Sequence, residues 1–409
     1  MRVLVVNAGS SSLKHALVDS EQETILRRGE ERWEPGASPG LHAQALHAAL
    51  ADAGGEAQAI GHRVVHGGPS LDDPVRVDDA TRGVIAAMAP LAPLHTRAAL
   101  EGIDAAATAW PSLPQVACFD TAFHRTLTPE AKTYALPREW SERFGLRRYG
   151  FHGLNVRWCH EQAARLLGPE HCRRLVVCHL GSGCSVTAVL DGRSVDTTMG
   201  FTPQDGVPMA TRPGSLDPGL LLHLLSSGIE RDELDDALNH RSGLLGIAGI
   251  AGLREIVVAA ADGDERAQLA FDVLVRGVSS AVAAMTTSMR GLDALVFTAG
   301  AGEHSAPLRA AVCERLGQLG VALDSSRNAR HAEQIAAAGA AVAVIIVSAG
   351  EEIVIAHDTS GILASPAALV SDDLRRRRRG AVGRRQGVDV GEPPAHGGRP
   401  AATRSSSST

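Results

Sequence analysis

The sequence predicts an α/β protein made of two halves of similar fold that face each other across a cleft. Strand-like apolar runs alternate with helix-like segments along most of the 409 residues, which is typical of sheets that are at least partly parallel. A stretch with a Gly/Ser turn at residues 2–19 recurs at residues 174–191. Two copies spaced by about half of the ordered chain indicate a duplicated fold. The chain is long enough for two domains, and its 44% hydrophobic and 21% charged content is that of a globular protein.

The first copy of the repeat, RVLVVNAGSSSLKHALVD at residues 2–19, has the pattern of a β-hairpin: a buried strand, a Gly/Ser turn and a second strand. Backbone N–H groups and hydroxyls of such a turn can point inward and bind a phosphate. Lys14 adds positive charge, and the side-chain oxygen of Asn7 suits a hydrated Mg²⁺ ion. Taken alone, the same pattern also describes an ordinary hairpin turn.

The second copy, RLVVCHLGSGCSVTAVLD at residues 174–191, strengthens the phosphate interpretation. At a constant offset Asn7 falls on His179 and Gly9 falls on Gly181. Two such turns on opposite sides of a cleft suit a nucleoside triphosphate better than either suits a plain turn.

The segments around the two hairpins predict the other elements. They are helices at 41–53, 78–88 and 96–109, strands at 59–68 and 115–120, helices at 156–167 and 265–290, a strand at 292–298, a glycine-rich turn at 299–304, a helix at 307–319, and a helix that runs into a strand over 335–349. We place one domain at 1–150, a second at 151–364 with a last helix that could pack back on the first, and a basic disordered tail at 365–409.

Composition argues against several classes of function. The net charge of −6 and the 3% aromatic content give no sign of a nucleic-acid partner. The N-terminal apolar run is too short for a signal peptide, and the apolar stretch at 335–349 is too short to span a membrane. Six scattered cysteines fit free thiols in a reducing compartment, so we expect a cytoplasmic protein. The arginine-rich tail is interpreted as a solvated segment rather than a nucleic-acid or membrane arm.

Several side chains in predicted loops after strands could carry phosphoryl transfer, which needs cations around the moving group and a metal on the nucleotide. They are Arg63, Asp120, His152, Arg212 and Glu351. Each also has an ordinary structural interpretation, as a surface ion pair, a turn cap or a core histidine. The adjacent Cys–His pairs, such as Cys159 with His160, do not have the spacing of zinc ligands.

With these motifs in view, the sequence resembles the acetate kinase (acetokinase) family from Val3 to about Leu363. The resemblance rests on VLVVNAGSSSLK, LVVCHLGSGCSVTAVLDG and the order of the motifs between and after them. It implies membership of the superfamily of actin, hexokinase, the sugar kinases and the heat-shock chaperones. The implied fold has two duplicated actin/ribonuclease H-like domains, each a mixed five-stranded sheet flanked by helices, and the implied assembly is a homodimer.

The resemblance also implies reversible transfer of the γ-phosphoryl group of ATP to acetate by direct in-line attack, with Mg²⁺ as cofactor and Mn²⁺ as the alternative. Matching positions imply four groups of site residues. These are catalytic Asp120, His152 and Arg212; substrate-binding Arg63, Val65, Leu94, Phe151 and Pro203; metal-binding Asn7 and Glu351; and ATP-binding Lys14, His179, Leu180, Gly181, Ser182, Gly183, Arg254, Gly300, Ala301, Gly302, Glu303 and His304.

Elementary chemistry is consistent with these roles. A substrate carboxylate is already a nucleophile at neutral pH, so no strong base is required, and the charge of the transferred group is met by guanidinium groups. We therefore expect Asp120 to orient a metal or an arginine rather than to accept a proton. The implied methyl pocket favours acetate and tolerates propionate, because one methylene changes binding by only about 1–3 kcal/mol.

Departures from the family pattern cluster in the nucleotide loops, at Ser182, Gly252 and His304. The residues expected to carry the chemistry are all present. Propionate or butyrate kinase activity remains the alternative within the same class. A non-catalytic nucleotide-binding paralogue or clamp is the alternative from a different class.

Overall fold

The computed structural model describes residues 1–9, 12–32, 56–89 and 93–365, with the side chains of 93–95 outside that description. The predicted helix at 41–53 and nearly all of the predicted tail lie outside the described residues. Residues 1–364 pack as one unit.

The first sheet has six strands in the order β3-β2-β1-β4-β6-β5. Their bounds are β1 Arg2–Ala8, β2 Ser12–Asp19, β3 Thr24–Arg32, β4 Ala59–Val64, β5 Val75–Arg76 and β6 Gln115–Phe119. Strand β1 pairs antiparallel with β2 and parallel with β4, and β4 pairs parallel with β6. The sixth strand, β5, is the two-residue addition to the five strands expected from the resemblance, and it pairs antiparallel with β6.

The second sheet has five strands in the order β11-β10-β7-β8-β9. Their bounds are β7 Arg174–Leu180, β8 Cys184–Leu190, β9 Arg193–Thr197, β10 Ala294–Thr298 and β11 Ala343–Ile346. β7 pairs antiparallel with β8 and parallel with β10, as β1 does with β2 and β4. The two sheets therefore repeat one topology, which is what the sequence repeat predicts.

Helices connect and flank the strands of both sheets. In chain order, the described residues form α1 Asp79–Ala87, α2 Pro93–Ala109, α3 Pro129–Lys132, α4 Arg138–Phe144, α5 Gly153–Leu167, α6 Pro218–Ser226, α7 Arg231–Asp236, α8 Gly243–Ala248, α9 Leu253–Ala261, α10 Glu265–Met289, α11 Ala299–His304, α12 Ala306–Glu314, α13 Ser325–Ala329 and α14 Glu351–Ala364.

Alternate side chains of each central strand pack on opposite faces of its sheet. In β1, Val3 and Val5 pack with Ile355 of α14, whereas Leu4 and Val6 pack with Ala105 and Ala106 of α2. In β7, the side chains of 176, 178 and 180 join the cluster that contains α10, and those of 175 and 177 join α5. Helix α14, the last of the described chain, thus covers the first sheet. The domain boundary between residues 150 and 151 stays a prediction.

Two predicted elements are wrong. The Ala-rich segment before β11 is not a helix: Gly339 takes a left-handed φ of 77°, and isolated bridges join Leu323 to Ala336 and Gln334 to Ile345. The glycine-rich stretch at 299–304 is not a turn but the short helix α11. Strand β3 was not predicted from its polar sequence, because most of its side chains are exposed at the edge of the sheet.

Two stretches, Gly243–Ala261 and Glu265–Met289, are long and apolar enough to cross a membrane by length and composition. The first is divided into α8 and α9 by Gly249, whose φ is 73°. The second is α10, and its buried face, including Leu274, Val278 and Val282, packs in the main core of the second sheet. The first stretch is therefore two short helices rather than one long one, and the second is a helix of the core.

Candidate active site

A buried ion pair joins two neighbouring parallel strands of the first sheet. Arg63 lies near the end of β4, and Asp120 directly follows β6. Arg63 Nε and Nη2 donate to the two carboxylate oxygens of Asp120 at 3.1 and 2.5 Å, and Nη1 donates to Asn7 Oδ1 at 3.4 Å. Burial opposes the charge on Arg63, but the Asp120 carboxylate, followed by Glu351, outweighs it and raises the pKa of the guanidinium. Asp120 therefore holds a permanently charged fork in one orientation.

Glu351 is the first residue of α14, and its Oε2 is buried without a hydrogen-bond partner. Its neighbour Glu352 has a raised pKa, because burial and then the charge of Glu351 disfavour its ionised form. Asn7, at the end of β1, offers a neutral side-chain oxygen. An unpartnered carboxylate oxygen and an amide oxygen fit Mg²⁺, which binds few protein oxygens and keeps water and phosphate ligands. Accordingly, the described residues contain no group of three or more metal-binding side chains.

Two histidines stack where the start of α5 meets the end of β7. The rings of His152 and His179 are 3.9 Å apart between centroids and inclined by 13°. His152 Nδ1 is hydrogen-bonded to Ser185 Oγ at 3.0 Å. Burial, then His179, Arg63 and Arg212, lower the pKa of His152 well below its usual value. Burial and then Arg63 lower the pKa of His179 to about 4. Both rings are therefore neutral at neutral pH.

Arg212 is the second guanidinium of the site, and it lies in the long loop between β9 and α6. Its Nη1 donates to the carbonyl oxygen of Pro203 at 2.7 Å, and burial lowers its pKa. No ion pair in the described part of the chain includes Arg212. A Cβ atom added to Gly183 would lie 3.0 Å from Arg212 Nη2 and 3.6 Å from His152 Nε2. The second hairpin turn, Arg212 and His152 therefore converge on one point.

These interacting side chains form one cluster, which we call the polar end. It comprises Asn7, Arg63, Asp120, His152, His179, Arg212 and Glu351.

A cavity of about 670 Å³ lies on the other side of the second hairpin turn, and we call it the apolar cavity. Its size is that of a typical small-molecule site. Seven of the predicted ATP-binding residues line it: Leu180, Gly181, Ser182, Arg254, Gly300, Ala301 and His304. Glu255 and aliphatic side chains such as Leu244 and Val258 complete the lining, and none of these three was singled out from the sequence.

The other predicted ATP-binding residues do not line this cavity. Lys14 is exposed on β2, opposite Asn7 in the register. Gly183 faces Arg212, and Gly302 is buried against the end of β10. Glu303 Oε1 accepts a hydrogen bond from the Ala349 backbone N–H at 3.0 Å. His179 belongs to the polar end. At these positions ATP binding stays a prediction.

The predicted acyl pocket is partly described. Phe151 is buried in the core of the second sheet, and Val65 packs against the same cluster. Pro203 reaches the site through its hydrogen bond with Arg212. The side chain of Leu94 lies outside the described residues. His66, next to Val65, contacts Phe151 edge-to-face at 5.6 Å.

Two supporting residues were missed by sequence reasoning. The guanidinium of the fully buried Arg309 donates to the carbonyl oxygens of Gly302 and Glu303, both at 2.8 Å, and to Asn328 Oδ1, also at 2.8 Å. Arg309 thereby fixes the C-terminal end of α11, where His304 lies. Burial lowers its pKa to about 10.

The second missed residue is Asn155 of α5, which links the two halves of the site. Its Nδ2 donates to His179 Nδ1 at 2.9 Å and to Thr298 Oγ1 at 3.2 Å. Its Oδ1 accepts from the backbone N–H of Gly350, directly before Glu351, at 3.2 Å. Neither Arg309 nor Asn155 belongs to a local sequence pattern that predicts its hydrogen-bond partners.

A duplicated α/β fold with a cationic polar end beside a nucleotide-sized cavity defines a phosphotransferase. The model of the acetokinase family matches residues 41–357. The chain belongs to the acetokinase family.

Individual relatives agree with this assignment. The acetate kinase of Nostoc punctiforme is 41% identical over 80% of this chain and 90% of its own length. That of Leifsonia xyli is 45% identical over 80% and 89%. Among solved structures, a propionate kinase from Francisella tularensis matches with a TM-score of 0.83 and 36% identity, covering 88% of this chain and 99% of its own. The acetate kinase of Porphyromonas gingivalis matches with a TM-score of 0.80 and 32% identity, over 88% and 99%. The predicted two-sheet α/β fold is confirmed.

Proposed function

We propose that the protein is an acetate kinase, which transfers the γ-phosphoryl group of ATP to acetate and forms acetyl phosphate and ADP, reversibly and by in-line attack. One observation supports this most strongly. Arg212 is a partly buried guanidinium with no carboxylate partner among the described ion pairs, and it converges with a neutral histidine on a glycine turn. Such an unneutralised cation is suited to the charge spread over the equatorial oxygens of a phosphoryl group during its transfer.

Arg63 binds the acetate carboxylate in this mechanism. Its fork is held by Asp120 through two hydrogen bonds, so Asp120 orients the arginine and is not needed as a base. The acetate oxygen attacks as the anion it already is at neutral pH.

His152 donates a hydrogen bond to the moving phosphoryl group. Its lowered pKa keeps the ring neutral, so it acts as a donor and not as a proton source. Arg212 balances the charge on the equatorial oxygens, and the second hairpin turn supplies backbone N–H groups beside it.

Asn7 and Glu351 would hold the magnesium ion, with Mn²⁺ as a possible substitute. When bound, the ion neutralises charge on the β- and γ-phosphates. The apolar cavity takes the adenosine part of ATP, with Arg254 and His304 among its polar contacts.

Acetate is the preferred acid, because the implied methyl pocket includes bulky apolar residues such as Phe151 and Val65, which pack in one hydrophobic cluster. Propionate kinase activity is the second candidate, and the similarity to the Francisella tularensis propionate kinase favours testing it. Butyrate is a weaker possibility. Discrimination between acids that differ by one methylene is worth only about 1–3 kcal/mol. The retained polar end argues against a non-catalytic paralogue.

The working assembly is a cytoplasmic homodimer without a nucleic-acid or membrane partner. Four exposed leucines at the start of and along α6 provide apolar surface that a second copy could bury: Leu216, Leu220, Leu222 and Leu225. Size-exclusion chromatography with light scattering tests this assembly.

The test of function is an acyl-phosphate assay with hydroxylamine trapping, run with Mg-ATP and acetate, propionate or butyrate. We expect the highest kcat/KM with acetate and a lower value with propionate. A preference for butyrate would reject the acetate assignment. No acyl phosphate with any of the three acids, from a folded protein that binds ATP, would support the non-catalytic alternative.

A further inference from the structure

A second basic cluster lies outside both the polar end and the apolar cavity. Arg125, Lys132, Arg147 and Arg148 surround a small cavity of about 40 Å³, which we call the basic pocket. Gly68, Asp72, Thr121, His124 and Tyr149 complete its lining. A cavity of this size holds about three water molecules or one tetrahedral oxyanion, because one water needs about 10–15 Å³. None of its lining residues belongs to the proposed catalytic machinery.

The charges around the basic pocket are unbalanced on its inner side. Arg125 pairs with Asp73, and Arg148 Nη1 lies 3.2 Å from Asp205 Oδ2, so these two have partners. Arg147 Nη2 lies 3.9 Å from the carboxylate of Asp72. Lys132 takes part in no ion pair of the described residues, and its Nζ donates to the carbonyl oxygen of Arg125 at 2.5 Å. The four cationic side chains thus have three carboxylates nearby, and of these only Asp72 lies in the lining.

One donor of the basic pocket has no acceptor. Arg147 Nε is buried without a hydrogen-bond partner, although Arg147 is fixed by stacking on Tyr149, with its guanidinium carbon 4.6 Å from the ring centroid. A buried donor of this kind normally has an acceptor, protein or otherwise. Burial and then the charge of Arg147 lower the pKa of Lys132, and the carboxylate of Asp72 offsets this only in part. An oxyanion would supply the missing acceptor and relieve the repulsion.

We propose that the basic pocket binds a small inorganic oxyanion of the phosphate or sulfate class, held chiefly by Arg147 and Lys132. Its inner wall touches the proposed acyl pocket. His124 Nε2 donates to the carbonyl oxygen of Phe151 at 2.9 Å, and Thr121 Oγ1 accepts from the backbone N–H of Gly67 at 3.1 Å. The anion would therefore lie one side chain away from the segments that carry Asp120 and Phe151.

Selenate is the probe, because its anomalous scattering locates it directly in crystals of the full chain. We expect an anomalous peak between Arg147 and Lys132, in addition to any peak at the polar end. In solution, sulfate is titrated calorimetrically at constant ionic strength into the wild type, Lys132→Gln, Arg147→Gln and the control Arg138→Gln. Arg138 is 87% exposed and paired with Glu142 on α4, so this control removes one positive charge without touching the pocket.

The wild type and Arg138→Gln should show one more sulfate site than Lys132→Gln and Arg147→Gln. If the two pocket variants keep that site, its affinity for sulfate should be at least about tenfold lower than in the wild type. Two pocket variants are used because Arg147→Gln also removes the stacking on Tyr149; circular dichroism checks their folding. Phosphate competition against selenate identifies which anion is preferred. No anomalous peak in the pocket, or identical sulfate titrations for Lys132→Gln and Arg138→Gln, would overturn the proposal.

Discussion

The polar end and the apolar cavity share the second hairpin turn but are built in different ways. At the polar end, polar side chains are fixed by individual hydrogen bonds: Arg63 by Asp120, His179 by Asn155, and Arg212 by the carbonyl oxygen of Pro203. The apolar cavity is lined mainly by aliphatic side chains and glycines, and its shape depends on backbone segments such as α11. Substitutions at the polar end should therefore change the chemistry and the charge of the site. Substitutions in the apolar cavity should change how well a ligand fits into it.

The largest expected effect is the acid sensitivity of the buried histidines, most of which lie at or beside the polar end. The pKa values of His62, His66, His124 and His179 are each lowered to about 4, chiefly by burial. The native state leaves these rings unprotonated between pH 6.5 and 4, whereas the unfolded state protonates them. Stability is therefore full above pH 6.5 and is lost as the pH falls toward 4, by up to about 3 kcal/mol for each ring.

Calorimetric Tm values between pH 7.5 and 4 measure this loss. His179→Gln should flatten the dependence, whereas His223→Gln, an exposed position on α6, should leave it unchanged. Equal slopes for the wild type and His179→Gln would show that this ring titrates normally.

Loss of Arg212 should have the largest kinetic effect. Arg212→Ala removes the cation that we propose faces the moving phosphoryl group, and we expect kcat to fall about 10²- to 10³-fold with ATP binding still measurable. Arg212→Lys should recover part of the rate, because it restores charge without the planar fork. Arg241→Ala, a change at an exposed arginine paired with Asp236, is the control. A fall of only a few-fold in Arg212→Ala would assign the role to another group.

A substitution of Arg309 tests the apolar cavity in the corresponding way. Arg309→Lys keeps the charge but cannot donate to Gly302, Glu303 and Asn328 at the same time, which should lower the free energy of unfolding by about 3 kcal/mol. The KM for ATP should rise while the KM for acetate stays the same, because only α11 is released. The exposed Arg330→Lys is the matched control. An altered KM for acetate alone would contradict the division between the two ends.

Arg63→Ala should act mainly on acetate. Removing charge-assisted hydrogen bonds worth about 1.5–3 kcal/mol should raise the KM for acetate about 10- to 100-fold. The variant should also have a lower Tm, because the Asp120 carboxylate is left buried without its partner. Arg82→Ala removes a bidentate pair with Asp104 at the surface and should change neither quantity. Unchanged acetate KM in Arg63→Ala would remove Arg63 from the substrate site.

The two ends also differ in how far the sequence alone could predict them. Arg63, Asp120 and His152 follow strands or lie beside them, so the order of strands and motifs was enough to bring them together. Arg309 and Asn155 were missed because their partners, Asn328 and Gly350, are distant in the chain and no spacing links them. Tertiary context likewise overrode the helix propensity of the alanine-rich segment before β11.

The position of β3 at the edge of its sheet explains why the sequence does not predict this strand. β3 has few buried side chains, so its sequence lacks the apolar alternation that predicts strands. Core strands such as β1 and β7 carry continuous apolar runs, and they were predicted correctly. Sequence patterns thus predict which segments are buried. They predict hydrogen-bond partners only where both partners lie in the same local motif.

The smallest expected effect concerns Gly252, where the chain departs from the family pattern. A Cβ atom at this position would collide with Oε2 of Glu255, so glycine lets that carboxylate fold over the backbone at the edge of the apolar cavity. The backbone there is ordinary, with φ −76°, so Gly252→Ala displaces a flexible side chain without straining the chain. We expect the KM for ATP to change about two- to fivefold, the scale of a single hydrogen bond. The KM for acetate and the Tm should stay constant.

Glu255→Gln separates the position of that carboxylate from its charge, and Gly317→Ala, at a glycine with open space around it, controls for the added methyl group. If Gly252→Ala and Glu255→Gln shift the KM for ATP alike, the folded-back carboxylate contacts the nucleotide. If neither shifts it, the departure at residue 252 is neutral, and nucleotide fit depends on the α11 side of the cavity, where Arg309 fixes His304. In both cases only the KM for ATP should change, because a change in the KM for acetate would mean that the polar end and the apolar cavity are not independent.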